Sequence, residues 1–394
     1  AGIVWALKRT PLQDEINRRQ GWTTTLVHLS PYLLSAVWFL VTFVALLRWT
    51  SLTPASQGRL LFPCISVISA LIAYGCYRWH RIVLGVVVAG FALLAFGVPF
   101  FVIAPAYAKP APIETPNPVH PLQATYDGQL DMLGYDVSTD TTVPEGQATL
   151  YLYWRAHGPL PQNESVYVHL LNDDDVVVGQ RDMYPGQGSL ATTELPSGYV
   201  WRDHYTVLIS PLLLTPQKLH WGVGLYDLTS GVRLTVTSGT STEQGVELNG
   251  FEYAPAPSGR PLLDYGNGIQ LSHYDASPHS LQKGQPMTVT LDWLSTARVT
   301  QDYVVSLQLI DAKSNKVAQS DSPPLDGQAP TSTWVAGQHI QDVHVLQVSP
   351  EASPGTYRLL LVLYRPDNLA HLGAYTADGI YLGDEVALMP FRVK

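Results

Sequence analysis

Charge is scarce in this sequence. Asp, Glu, Lys and Arg make up 14% of its 394 residues, where an average soluble domain carries roughly 25%. Charge is sparsest in the first quarter of the chain, whose long uncharged stretches read as membrane and not as a soluble core. Positive charge is the scarcer sign: Lys plus Arg number 23 against 32 Asp plus Glu, a net charge of −9. No cluster of Lys and Arg with interleaved aromatics occurs, which argues against a nucleic-acid partner. Cysteine is nearly absent. Cys64 and Cys76 share one apolar segment, where a helix would hold them about 18 Å apart, too far to pair. The rest of the chain has no cysteine, hence no disulfide framework, no CxxC pair and no CxxCH haem attachment. GxSxG, HExxH and Gly-rich phosphate loops are missing too, and with them the sequence signatures of the common hydrolases and nucleotide enzymes. No cofactor is expected.

Long apolar runs are what the first quarter holds instead. Ile82 to Ala104 is 23 residues without a charge, enough to cross a hydrocarbon core of about 30 Å. Two further spans are predicted at about 31–48 and 60–78, separated by polar turns, with a tight Arg78-Trp79-His80-Arg81 hairpin before the span at 82–104. The opening AGIVWAL, followed by Lys8 and Arg9, reads as the end of an earlier span, so the chain is expected to be the C-terminal part of a longer or processed product. Lys8, Arg9, Arg18 and Arg19 in the first polar loop, with Arg78 and Arg81 in the hairpin, outnumber Arg48 and Arg59 in the connection between them. Positive charge marks the cytoplasmic side, so the region after residue 104 is expected outside. That gives a multi-pass protein of a bacterial cytoplasmic (inner) membrane with extracytoplasmic C-terminal domains, its partners membrane lipids and either other membrane subunits or missing N-terminal spans. His28 and His80 flank the spans without further ligands in view. Pro63 and Pro99 read as helix kinks.

Residues 105–121 are proline-rich and read as an extended, semi-rigid spacer. The remainder of the chain carries one pattern twice. Tyr135-Asp136 recurs as Tyr274-Asp275, Trp154 as Trp293, Gln180 as Gln319, Pro185 as Pro324, Gly198 as Gly337, and Ser210-Pro211 as Ser349-Pro350, each 139 positions on. One offset held over about 77 residues marks a duplication. Alternation in ATLYLYWR and MTVTLDWL, and turn-rich NDDD and DAKSNK between apolar runs, predict short antiparallel strands and hairpins. The expected fold is an α-helical transmembrane region (1–104) followed by two tandem all-β antiparallel sandwiches, Ig-like or jelly-roll-like, at 122–253 and 262–394. Trp154 and Trp293, matched in the two copies, are expected to anchor equivalent cores, kept apart by the Pro-containing connection near 254–261.

Few residues point to chemistry. Asp173, Asp174 and Asp175 suggest calcium, but the second copy has Ala312, Lys313 and Ser314 there, as a solvated turn would allow. His169, His204 and His220 fall on separate predicted strands, and Gln308 replaces the first in copy two. Asn163-Glu164-Ser165 matches a glycosylation sequon. The acidic residues single out no glycosidase pair, since the pair is defined by distance in space.

SQGRLLFPCISVISAL at 56–71, the tight hairpin, the last span and APAYAKP resemble the C-terminal end of bacterial protein-mannosyltransferase-like GT-C glycosyltransferases. The GYD, YLYWR and VHLLNDDDVVVGQRD motifs look like the sandwich domains that trail some of these proteins. The resemblance implies a polyprenyl-phosphate sugar donor. It also implies a catalytic acid in a first extracytoplasmic loop, which lies outside this sequence, so no catalytic residue carries over. Arg59 is the one candidate for contact with a lipid phosphate, against simple snorkelling at a helix end. Two functions are compatible with these features: the end of a lipid-linked-sugar transferase whose sandwiches bind acceptor glycan or act as spacers, or a non-catalytic subunit of a larger respiratory or photosynthetic membrane complex.

Overall fold

The computed structural model describes residues 22–52, 58–79, 81–140, 146–255 and 259–394; for residues 22–32, 51–52, 58–60, 79, 106 and 140 it describes the backbone alone. The chain divides into two compact units, Ala1–Ala106 and Tyr107–Lys394.

The first unit is helical: α1 (Trp22–Leu52), α2 (Ile65–Trp79) and α3 (Arg81–Val98). α1 begins at Trp22, ahead of Pro31, where the sequence suggests the span starts. A 3₁₀ turn, Gly58–Cys64, leads into α2 and holds Pro63. Pro99 opens a π-helical turn, Pro99–Ile103, that extends α3. In both places proline removes an N–H, so the regular α ladder gives way to another winding. Among the described residues three windows are long and apolar enough to cross a membrane: Leu33–Thr50, Leu61–Arg78 and Arg81–Ile103. Within this unit Cys64 is the one buried side chain among the described residues. Its Sγ meets Thr42 Oγ1 at 3.1 Å, and Trp38 Nε1 donates to Pro63 O at 3.2 Å, so polar contacts tie α1 to the start of the second span.

The second unit is β. Its first half holds β1 (His120–Tyr126), β2 (Leu130–Asp140), β3 (Gln147–Ala156), β4 (Glu164–Asn172), β5 (Val177–Met183), β6 (Val200–Leu208), β7 (Gln217–Asp227), β8 (Val236–Ser238) and β9 (Val246–Tyr253). Its second half holds β10 (Leu263–Asp264), β11 (Ile269–Ser277), β12 (Ser280–Leu281), β13 (Pro286–Ser295), β14 (Val304–Ile310), β15 (Lys316–Ser322), β16 (His339–Gln347), β17 (Gly355–Tyr364), β18 (Ala374–Tyr375), β19 (Tyr381–Gly383) and β20 (Val386–Val393). The strand orders match: β6-β3-β2-β1-β8 against β16-β13-β11-β10-β18-β19, and β5-β4-β7-β9 against β15-β14-β17-β20-β12. Pairing is antiparallel except at β12–β20. β3 and β13, β5 and β15, and β6 and β16 begin and end 139 residues apart, and β9 and β20 lie 140 apart. Even the bulge after Met132 in β2 returns after Leu271 in β11.

Buried hydrogen bonds are duplicated with the strands. Thr192 Oγ1 donates to Gln162 O and accepts from Glu164 N, each at 2.9 Å. Thr331 does the same with Gln301 O at 2.7 Å and Tyr303 N at 2.9 Å. Asp203 accepts from Gly186 N at 2.6 Å, and Asp342 from Leu325 N at 2.8 Å. Buried loops leave N–H groups that need acceptors, and these side chains supply them.

Two expectations are corrected. The proline-rich segment does not stand free as a spacer: from Tyr107 on it belongs to the β unit. Ile113 N donates to Val200 O at 2.8 Å, Tyr199 Oη to Pro110 O, and Lys109 pairs with Glu194 at 2.8 Å. Gly134 shows why. At φ +149, a Cβ there would lie 2.5 Å from Pro118 Cγ and 2.6 Å from His120 O. Copy two has His273 at the matching position. Nor do the two halves keep separate cores. One buried cluster runs through both. Tyr274 Oη donates to Leu212 O, Gln217 Nε2 reaches Met389 Sδ at 3.1 Å, and Lys394 pairs with Asp174 at 3.0 Å. The loop Ser210–Pro216 carries three leucines, Leu212 to Leu214, all buried, and these join the halves.

Candidate functional site

Trp154 sits at 0% exposure in β3 and Trp293 at 1% in β13. Each ring centroid lies 6.4 Å from a second tryptophan, Trp201 and Trp334 respectively. Tyr126 and Tyr265 add a second aromatic contact at 5.9 and 6.0 Å. Neither indole N–H has a partner among the described residues. These rings act through packing, and no sugar can reach them. The second tryptophan of each pair escapes the sequence comparison, because Trp201 aligns with Ile340 and Trp334 with Leu195. The Arg59 side chain lies outside the described residues, as do those of His28 and His80.

The three consecutive aspartates do not converge. Asn172 Oδ1 accepts from Asp174 N at 3.1 Å and Val176 N at 3.0 Å, shaping the β4–β5 turn. Asp311 makes the same turn in copy two, accepting from Lys313 N and Asn315 N. A hydrogen bond from the Asn315 side chain, with those backbone bonds, holds the Asp311 carboxyl below its usual range. Asp174 faces Lys394, and Asp175 faces His220 at 3.5 Å. The three histidines also part company. His169 contacts Gln244 at 3.3 Å, His204 lies against Tyr151, and His220 lies between Asp175 and Glu247. No group of three or more His, Cys, Asp or Glu able to hold a metal occurs among the described residues.

Two arrangements were not visible in the sequence. In copy two Ser320 Oγ lies 3.3 Å from His344 Nδ1, and His344 Nε2 lies 2.8 Å from Asp342 Oδ2. The residue types are those of a hydrolytic triad, but the His344 and Asp342 side chains have 0% exposure. Copy one puts Tyr205 and Asp203 in the same places, with Tyr205 Oη 3.2 Å from Asp203 Oδ2. Both versions clamp the loop that Asp203 or Asp342 caps. The other arrangement is Glu164, on β4 at 3% exposure with Oε2 unpartnered among the described residues. Burial, then Asp227 and Asp127, pushes its carboxyl up to about 6.

Two clefts on the β unit bear on these residues. One of about 290 Å³ lies where the halves meet, lined by Asn172, Asp174, Gln217, Lys218, Glu252 and His279. Gln217 Oε1 there is buried and unpartnered among the described residues. The other, about 270 Å³, surrounds Tyr135 between β1, β2 and β9. It is lined by His120, Leu122, Glu247, Leu248 and Asn249. His120 stacks on Tyr135 with centroids 4.8 Å apart.

No protein family matches the sequence, and no curated protein matches it. Among the solved structures that match, three are distantly similar. The Pseudomonas fluorescens alkylpurine DNA glycosylase AlkC, bound to DNA with an abasic site analogue, is 14% identical over 32% of this chain and 30% of its own, with a TM-score of 0.22. The C-terminal domain of wzt is 11% identical over 34% of this chain and 81% of its own, TM-score 0.24. Red sea bream transglutaminase is 7% identical over 66% of this chain and 31% of its own, TM-score 0.19. The chain thus spans about a third of the length of the first and third of these. Scores this low carry no argument about function.

Proposed function

We propose that this chain is the membrane-anchored C-terminal part of a bacterial polytopic protein akin to the protein-mannosyltransferase-like glycosyltransferases. Its two β halves are tandem sandwiches outside the cytoplasmic membrane, a platform that holds acceptor glycan near the transfer site. One observation supports the membrane part of the reading: among the described residues the helical unit exposes apolar side chains along its spans, whereas the β unit buries a core. Leu34, Phe91, Leu93, Phe96 and Phe101 are each at least 67% exposed. Water would not tolerate that surface, whereas lipid or neighbouring spans would cover it. The sandwich reading is supported by side chains that bridge sheets within each half. Tyr126 Oη donates to Val223 O at 3.0 Å, and Tyr135 Oη and Tyr274 Oη accept hydrogen bonds from the Asn249 and Met389 amides, each at 3.0 Å.

The test is sugar transfer from a polyprenyl-phosphate donor in membranes carrying the complete gene product, with and without residues 107–394. The platform reading expects donor consumption to persist, with a KM for acceptor raised at least tenfold on truncation. Unchanged acceptor kinetics, or no transfer by either form, would overturn it.

A further inference from the structure

The two copies carry the same cradle and treat it differently. In copy two, Tyr274 at 1% exposure receives the Met389 amide and donates its own proton to Leu212 O. The apolar loop Ser210–Pro216 thus caps it. In copy one, Tyr135 at 4% exposure receives the Asn249 amide in the same way. Among the described residues nothing accepts its proton, and the cleft of about 270 Å³ opens there. The linings differ as well. Ala387 and Met389, beside the capped tyrosine, correspond to Glu247 and Asn249 beside the open one, and Gly259 corresponds to His120. Leu248 and Leu388 stay apolar. The capped cradle is lined for a leucine loop. The open one is lined for something that both donates and accepts hydrogen bonds.

We infer that the cradle around Tyr135 binds a pyranose ring of a glycan. A sugar hydroxyl can accept from Tyr135 Oη while others donate to the Glu247 carboxylate and the Asn249 side-chain oxygen. Leu122, half-buried at the rim, offers apolar surface to the C–H face of the ring. The ligand is hydroxyl-rich and not an anion, because the lining offers a carboxylate, an imidazole and an amide but no Lys or Arg. A few convergent polar groups over apolar walls suit a small ligand of this size. The inference rests on the reading that the β unit meets glycans outside the membrane.

The test uses the full chain in lauryldimethylamine oxide micelles, a detergent without a sugar headgroup. Saturation-transfer NMR is run with methyl α-D-mannopyranoside, methyl α-D-glucopyranoside and N-acetylglucosamine. At least one should bind with a Kd of about 1 mM. The double variant Glu247→Ala/Asn249→Met, which installs the lining of copy two, should weaken binding at least tenfold without lowering the melting midpoint. His120→Gly provides a second reading should that variant misfold, with the same expected direction. Displacement by a polyprenyl-phosphate sugar or by a soluble oligosaccharide tells lipid-linked from free glycan, and either agrees with the inference. No transfer to any of the three sugars, or binding undiminished in the folded variants, would overturn it. Sugar binding in a chain whose β unit proves cytoplasmic would refute the proposed location and leave the cradle standing.

Discussion

At the residue scale, Glu164 is the least comfortable side chain in the β unit. A carboxylate at 3% exposure with an unpartnered oxygen should be neutral when it can be. Its carboxyl titrates at about 6 in the fold, against 4.5 in an unfolded chain. Below pH 4.5 both states hold the proton, and the contribution to stability is complete. As pH rises through 6 the folded state must give the proton up, and that contribution is lost. The loss is on the order of 1–2 kcal/mol. Glu164→Gln should therefore be more stable than the parent at pH 7.5 and match it near pH 4. Melting curves across that range check this, and parallel curves for parent and variant would contradict it. In the sequence Glu164 stands out only as the middle of a sequon; its burial depends on which strands flank β4.

At the scale of elements, the strap and the cradles make paired predictions. Gly134→Ala puts a methyl into Pro118 and a strained backbone, and should cost about 1–3 kcal/mol. His273→Ala, at the matching exposed site, should stay within about 0.5 kcal/mol. Denaturant midpoints of the two variants compare them, and equal losses would argue against the strap. The tyrosines differ likewise. Tyr135→Phe removes one hydrogen bond and should cost about 1 kcal/mol. Tyr274→Phe also strands Leu212 O and should cost roughly twice that. The strands themselves were legible, because alternation and a fixed 139-residue offset are properties of the chain. The strap was not, since a proline-rich segment reads alike whether free or docked. Its signals were glycines at Gly134 and Gly186 where copy two has His273 and Leu325.

At the scale of the whole molecule, the junction between halves decides how the β unit behaves. Leu212 to Leu214 occupy a loop that copy two writes as Glu351-Ala352-Ser353, a contrast visible in the sequence that reports a docking surface only once the loop is placed. Because one buried cluster spans both halves, they should unfold together. Trp154→Ala or Trp293→Ala should each remove about 3–5 kcal/mol and lower one shared transition, followed by near-ultraviolet circular dichroism. Two separate transitions, with only one displaced by each variant, would restore independent domains.

The central claim is that three apolar spans anchor a β unit outside the cytoplasm, and it is tested most directly by labelling a cysteine at Ser238. That residue is exposed on β8, and Cys64 and Cys76 are first replaced by serine. A membrane-impermeant maleimide should label the Ser238→Cys chain in intact cells to the same extent as after lysis. Labelling that appears only on lysis would contradict the account.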